Sequence, residues 1–85
     1  MKKQIKIAGK SQTYHFPILI ELDEDDIYIV SCPNFKGCHS YGKTVEEAMK
    51  NIKEVIELCL DEEPVIMQNK FVGFRELELV HKTIL

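Results

Sequence analysis

The pattern of apolar positions along this 85-residue chain changes its period near residue 44 and changes it back near the C-terminus. Before residue 44 apolar residues recur mostly at every second position, as in strands; in the segment that follows they recur three to four apart, as in a helix. Residues 14–22 alternate, with Phe16 and Ile18 on one face, and predict a strand. Pro17 lies inside this run, so we expect an edge position or an irregularity there, because proline cannot donate to a ladder. Residues 4–8 alternate over a shorter stretch and predict a possible extra N-terminal strand.

Two further extended runs follow. Residues 27–32 carry apolar groups on both faces, which favours a central strand. Residues 38–41 predict a short third strand, after a loop that contains proline and glycine. Near the C-terminus Leu77 and Leu79 alternate with glutamates, which predicts a final strand whose leucines belong to the core.

One helix is predicted after the third strand. The Thr44 hydroxyl can cap its first turn, and Glu47 three residues later completes a capping box. Proline at position 64 ends the helix, because the residue before a proline is disfavoured in the α region. A single amphipathic helix can bury its apolar stripe only against a sheet, so we predict an α+β fold with the helix on one face of an antiparallel sheet. The stripe consists of Val45, Ala48, Met49, Ile52, Val55, Ile56 and Cys59.

Composition adds few constraints. The length predicts a single domain over residues 1–85. The formal charge is −3 and no basic stripe is visible, so no direct binding of nucleic acid is expected. The charged N-terminus leads into an alternating segment and not into the apolar run of a signal peptide. No window of the sequence is apolar over the length of a membrane span. We therefore expect a cytoplasmic protein. Three cysteines are a poor disulfide framework and are expected as thiols.

The candidate chemistry is weak at each position. The acidic run at residues 23–26 could bind a cation, but it lacks the glycine and the ligand spacing of a calcium loop, so a solvated hairpin turn is the simpler interpretation. Cys32, Cys38 and His39 do not have the usual spacing of zinc ligands. Cys38 and His39 are adjacent, and in a strand they would point to opposite faces, which argues against a catalytic dyad. We therefore predict no catalytic, cofactor or metal site, and no enzymatic activity.

Several short motifs occur in a fixed order along the chain. The motifs are Phe16-Pro17, Asp23-Glu24-Asp25, Tyr28-x-Val30-x-Cys32-Pro33, Phe35-x-Gly37-Cys38 and Gly42-x-Thr44-x-Glu46-Glu47-Ala48. In that order they resemble the N-terminal domain of the HicB family of antitoxins, over roughly residues 14–80. The acidic turn of that family usually ends in glycine, where this chain has Asp26, and Lys36 stands where a proline is usual.

The resemblance implies a fold and a function. It implies the order β-β-β-α-β, a truncated relative of the ribonuclease H fold, and a homo-oligomer formed through this domain. It implies a protein that neutralises a small, basic, mRNA-cleaving toxin of the HicA type by direct binding. Family antitoxins usually carry a C-terminal DNA-binding module as well, and we expect none in the remaining residues here.

Acidic side chains are the expected contacts with a basic toxin, because complementary charge steers association. Two alternatives stay open: an orphan oligomeric domain without a toxin, and a vestigial metal-dependent nuclease, which would need carboxylates that converge on metal ions. The candidate partner-binding residues are Asp23, Glu24, Asp25, Asp26, Glu46, Glu54 and Glu57.

Overall fold

The computed structural model describes residues 11, 13–62 and 69–82. It contains a three-stranded antiparallel sheet in the order β1-β2-β3, followed by one helix, so the predicted α+β class and the β-β-β-α order are confirmed. The strand predicted over residues 4–8 lies outside the described residues. The elements are β1 (Leu19–Leu22), β2 (Tyr28–Ser31), β3 (His39–Gly42) and α1 (Val45–Asp61).

Strand β1 is shorter than its alternating pattern. The pattern begins at Tyr14, but the ladder begins only at Leu19, two residues after Pro17. Because proline has no N–H to donate, residues 13–18 run alongside the body without belonging to a strand. The expected irregularity at Pro17 and the edge position of this strand are both confirmed.

The register fixes which side chains share a face of the sheet. Ile20 lies opposite Val30, and Val30 lies opposite Ser40. Val30 is fully buried beneath the helix, so the even-numbered residues of the strands face α1. The odd-numbered residues, among them Ile29 and its partner Tyr41, face away from the helix, and no second layer of the described residues covers that side of the sheet.

The helix start follows its sequence signal closely. The Glu47 N–H donates to the Thr44 hydroxyl at 3.0 Å, so Thr44 is the N-cap. The Glu47 carboxylate accepts from the Lys43 N–H at 2.7 Å, one residue earlier than a standard capping box requires. The helix ends at Asp61, with Glu62 as its C-cap, within the predicted range. Farther along, the Asn51 side-chain amide donates to the Tyr41 carbonyl at 2.8 Å and ties the helix to β3.

The core lies between α1 and strands β2 and β3. In the part of the chain that the structure describes, seven hydrophobic residues are buried, and Phe16 packs against them from the segment before β1, with its ring centroid 5.8 Å from that of Phe35. The helix lies over β3 and β2 and leaves β1 at the margin. As a consequence all four residues of β1 are exposed. The buried residues are Val30, Cys32, Phe35, Cys38, Ala48, Ile52 and Ile56.

The C-terminal residues correct one expectation. Residues 69–82, which we call the C-terminal arm, contain no strand, although a strand was predicted over Leu77 and Leu79. Those leucines are 87% and 77% exposed, so their assignment to the core of this chain was wrong. The alternating pattern indicates an extended segment with an apolar side, but it does not indicate where that side is buried.

Candidate partner-binding surface

The acidic turn between β1 and β2 is held by one of its own carboxylates. The Asp23 Oδ1 atom accepts from the Asp25 N–H at 2.8 Å and from the Ile27 N–H at 2.9 Å. Asp26 has a φ of 61°, in the left-handed region that favours glycine. Asp23 therefore has a structural role, while Glu24 and Asp25 project their carboxylates from an exposed turn.

The seven predicted contact residues do not form one surface. Leu22 pairs with Tyr28 and Tyr28 with Gly42, so the acidic turn lies at the same end of the sheet as the start of α1, where Glu46 is exposed. Glu54 and Glu57 lie roughly 12 and 16 Å farther along the helix axis, in the other layer of the molecule. The charges thus divide into a turn group, which includes Glu46 at its margin, and a helix group.

A hollow of about 460 Å³ lies on the uncovered face of the sheet. Ile27, Ile29, His39 and Tyr41 line it, and Asp23 borders it from the acidic turn. Tyr41 is 64% exposed, which is unusual for an aromatic residue in the middle of a strand. An apolar and aromatic centre with charges at its rim is the usual anatomy of a protein–protein interface. We call this surface the open face.

A larger apolar groove of about 690 Å³ runs between residues 14–18 and the helix. Phe16 and Ile18 form its sheet side, and Ile52 and Ile56 form its helix side. The groove exists because α1 lies over β2 and β3 and leaves the β1 side uncovered. The charged groups among its lining residues are Lys50, Lys53 and Glu57.

The three cysteines lie close together in the core. Cys32 and Cys38 are buried and Cys59 is half-buried. Burial raises the pKa of the Cys38 thiol from 9.0 to about 11, and the neighbouring Cys32 and Cys59 add to the effect. The thiolate is the reactive form, so Cys38 is a neutral and unreactive packing group near neutral pH. Within residues 11, 13–62 and 69–82, no three histidine, cysteine or acidic side chains are arranged to hold a metal ion.

Comparison with known proteins agrees with the motifs. The family described as "HicB_like antitoxin of bacterial toxin-antitoxin system" matches residues 16–78. This chain belongs to that family. It is 48% identical to the UPF0150 protein ssr1258 of Synechocystis over 62 residues, which cover 73% of this chain and 90% of the relative. It is 39% identical to a UPF0150 protein of Archaeoglobus fulgidus over 64 residues, which cover 75% and 93% of the two chains. No solved structure matches the chain.

The sequence analysis did not predict the open face, although it assigned the residues of that face to strands. A strand with apolar residues on both faces indicates a central strand, and β2 is central. Such a pattern also implies that the second face is buried against another element or a partner. No second layer covers Ile29 or Tyr41 among the described residues of this HicB-like chain. The signal was therefore the apolar second face, combined with the prediction of only one helix.

The part of this HicB-like chain that the structure describes contains no helix with the length and apolar character needed to cross a membrane.

Proposed function

We propose that this protein is an antitoxin that binds a small, basic, HicA-type ribonuclease and thereby prevents it from cleaving mRNA. The observation that carries the proposal is the family match over residues 16–78. The net charge of −3 supports it, because an acidic protein attracts a basic partner and disfavours other acidic ones. In this proposal the chain acts in the cytoplasm as a binding protein and catalyses no reaction.

We further propose that the toxin docks on the open face. Tyr41 is its most exposed aromatic residue, and tyrosine is enriched among residues that dominate binding energy. Glu24 and Asp25 lie on the exposed turn next to Asp23, which borders the hollow. In this arrangement the apolar centre supplies affinity, and the acidic turn steers the approach of a basic partner.

Two double substitutions separate the turn group from the helix group. Glu24→Lys with Asp25→Lys changes the net charge by +4 and spares the hydrogen bonds of Asp23. Glu54→Lys with Glu57→Lys changes the net charge by the same amount in the other layer. We expect the turn variant to slow association about tenfold at low ionic strength and to weaken its salt dependence, while the helix variant has a smaller effect.

The experiment first asks whether an adjacent gene encodes a small basic protein, and then pairs this chain with that product. Co-expression should rescue growth, and the two proteins should co-purify; stopped-flow or surface binding then gives the association rates of the variants. Tyr41→Ala should increase the dissociation rate, whereas Leu58→Ala, which truncates an exposed residue of the helix, should not. If only the helix variant slows association, the open-face assignment fails. If a toxic neighbour is neither bound nor neutralised, the antitoxin proposal fails and the orphan oligomeric domain replaces it.

The vestigial-nuclease alternative has its own test. Purified protein should not cleave RNA in the presence of magnesium or manganese. Cleavage that co-purifies with the protein and is lost in Asp25→Ala would contradict the proposal, because Asp25 offers its carboxylate to solvent and is not needed to hold the turn. The relation to ribonuclease H and the single-domain organisation over residues 1–85 remain predictions.

A further inference from the structure

The C-terminal arm exposes an unusual amount of apolar surface. Five large hydrophobic residues lie within nine positions, and each is at least 77% exposed. Solvated tails are poor in such residues, and an apolar patch of this size on a small protein usually marks an interface. The five residues are Val72, Phe74, Leu77, Leu79 and Val80.

The arm is attached to the body at its first residues only. The Asn69 N–H donates to the Asn34 carbonyl at 3.1 Å, and the Asn34 side-chain amide donates to the Asn69 carbonyl at 3.4 Å. Phe71 is half-buried, and from position 72 to 82 every residue is exposed. An extended segment of that length spans roughly 35 Å, which exceeds the two shorter dimensions of the molecule, 28 and 18 Å.

The same molecule has an unfilled place for an extended apolar segment. The groove between residues 14–18 and the helix is open, and Ile20 and Leu22 of β1, on the same side of the sheet, are 50% and 55% exposed. Among the described residues β1 is an edge strand, and no other described strand pairs with its outer row of backbone groups. The other edge, β3, is partly covered, because Asn51 on the helix already donates to the Tyr41 carbonyl.

We propose that two copies of this protein exchange their C-terminal arms, each arm adding a strand along the β1 edge of the other copy. The period of two places Leu77 and Leu79 on one side of the arm and Glu76 and Glu78 on the other. Leu77 and Leu79 enter the groove, while the other side of the arm carries the glutamates together with Val72, Phe74 and Val80. Arg75 lies on the leucine side, where the Glu57 carboxylate of the groove is available as a counter-charge.

A second copy is the occupant that the geometry favours over a folded-back arm. The arm leaves the body at the β2–β3 loop and places its leucines in solvent, while its own groove stays open. Reciprocal exchange forms a closed twofold pair in which both grooves and both β1 edges are filled. Two arms of about ten residues each bury on the order of 1,500 Å², within the usual range for stable interfaces. This inference concerns the chain alone and does not depend on a toxin.

The first test is the mass in solution. Light scattering coupled to size exclusion at micromolar concentration should give twice the 9.9 kDa chain mass. Leu77→Asp with Leu79→Asp should give a monomer with an unchanged helix signal by circular dichroism, because these leucines touch no core of their own chain. Leu58→Asp, a matched change at a residue that is 68% exposed on the helix, should stay dimeric. A monomeric wild type, or a double variant that stays dimeric, overturns the proposal.

The second test uses the wild-type chain, so it does not depend on how any variant folds. Isotopically labelled and unlabelled protein are unfolded together and refolded, and filtered NMR experiments select contacts between copies. Contacts between the methyl groups of Leu77 or Leu79 and the ring of Phe16 should appear between copies. If they occur only within one chain, the arm folds back and the exchange is refuted; if neither set appears, the arm does not dock and the proposal is equally refuted.

Discussion

Gly42 is the position where a single methyl group should do most damage to the fold. It is the last residue of β3, directly opposite Tyr28 and beneath the first turn of α1. A Cβ atom added there would lie 2.6 Å from the backbone nitrogen of Ala48, and 3.0 Å from two atoms of Glu47. Ordinary contacts begin at 3.4 Å, so the helix and the strand would have to separate by about 0.8 Å.

Neither neighbour can give way cheaply. The Ala48 nitrogen is fixed by its hydrogen bond to the Thr44 carbonyl at 3.0 Å, and the Ala48 side chain is fully buried in the core. Overpacking of this kind typically costs about 1–3 kcal/mol, and the backbone contact places Gly42→Ala near the upper end. For a domain of this size, a loss of about 2 kcal/mol lowers the Tm by roughly 8–16 °C.

Two other glycines provide matched controls for this prediction. Gly37 has a φ of 69° but open space around its Cα, so Gly37→Ala should cost only backbone strain, about 1 kcal/mol. Gly73 is in the arm with nothing nearby, so Gly73→Ala should leave the free energy of unfolding almost unchanged. Urea and thermal unfolding at one fixed protein concentration, to keep association constant, should rank the losses in that order. A Gly42→Ala variant as stable as Gly73→Ala would refute the close approach of helix and strand.

Two further predictions concern the turn and the core. Asp23→Ala should lower the free energy of unfolding by about 1–3 kcal/mol, because two backbone N–H groups lose their acceptor. Asp23→Asn keeps an acceptor oxygen and should recover part of this loss. Equal stability of Asp23→Ala and Asp25→Ala would contradict the turn geometry. Burial raises the pKa of Cys38 from 9.0 to about 11 in the folded protein, so the unfolded chain releases this proton first. The free energy of unfolding should therefore be unaffected by Cys38 below pH 9 and should fall as the pH rises from 9.0 towards about 11. The loss should be on the order of 2 kcal/mol by pH 11. Urea unfolding at a series of pH values measures it. If Cys38→Ala shows the same pH dependence as the wild type, another group is responsible.

The local structure followed from short-range physics, and the sequence was therefore a good guide to it. The Thr44 cap, the helix end and the central position of β2 each depend on residues that are close in sequence or on a simple period. The closeness of Cys32, Cys38 and Cys59 was not predictable in this way, since it depends on how the helix lies across the sheet. The division of the acidic residues into two groups also depends on that packing.

The arm shows why a correct period can lead to a wrong burial assignment. The alternation at Leu77 and Leu79 indicates that the apolar side of an extended segment is buried against another element. The period is the same whether that element belongs to the same chain or to another. The choice between them depends on the path of the connecting residues and on which edge is open. In this structure the leucines of the arm are exposed, while no described segment fills a groove of matching character. The two cases differ in one measurable consequence: if the leucines completed their own core, aspartate at both positions would unfold the domain, whereas exchange requires a folded monomer.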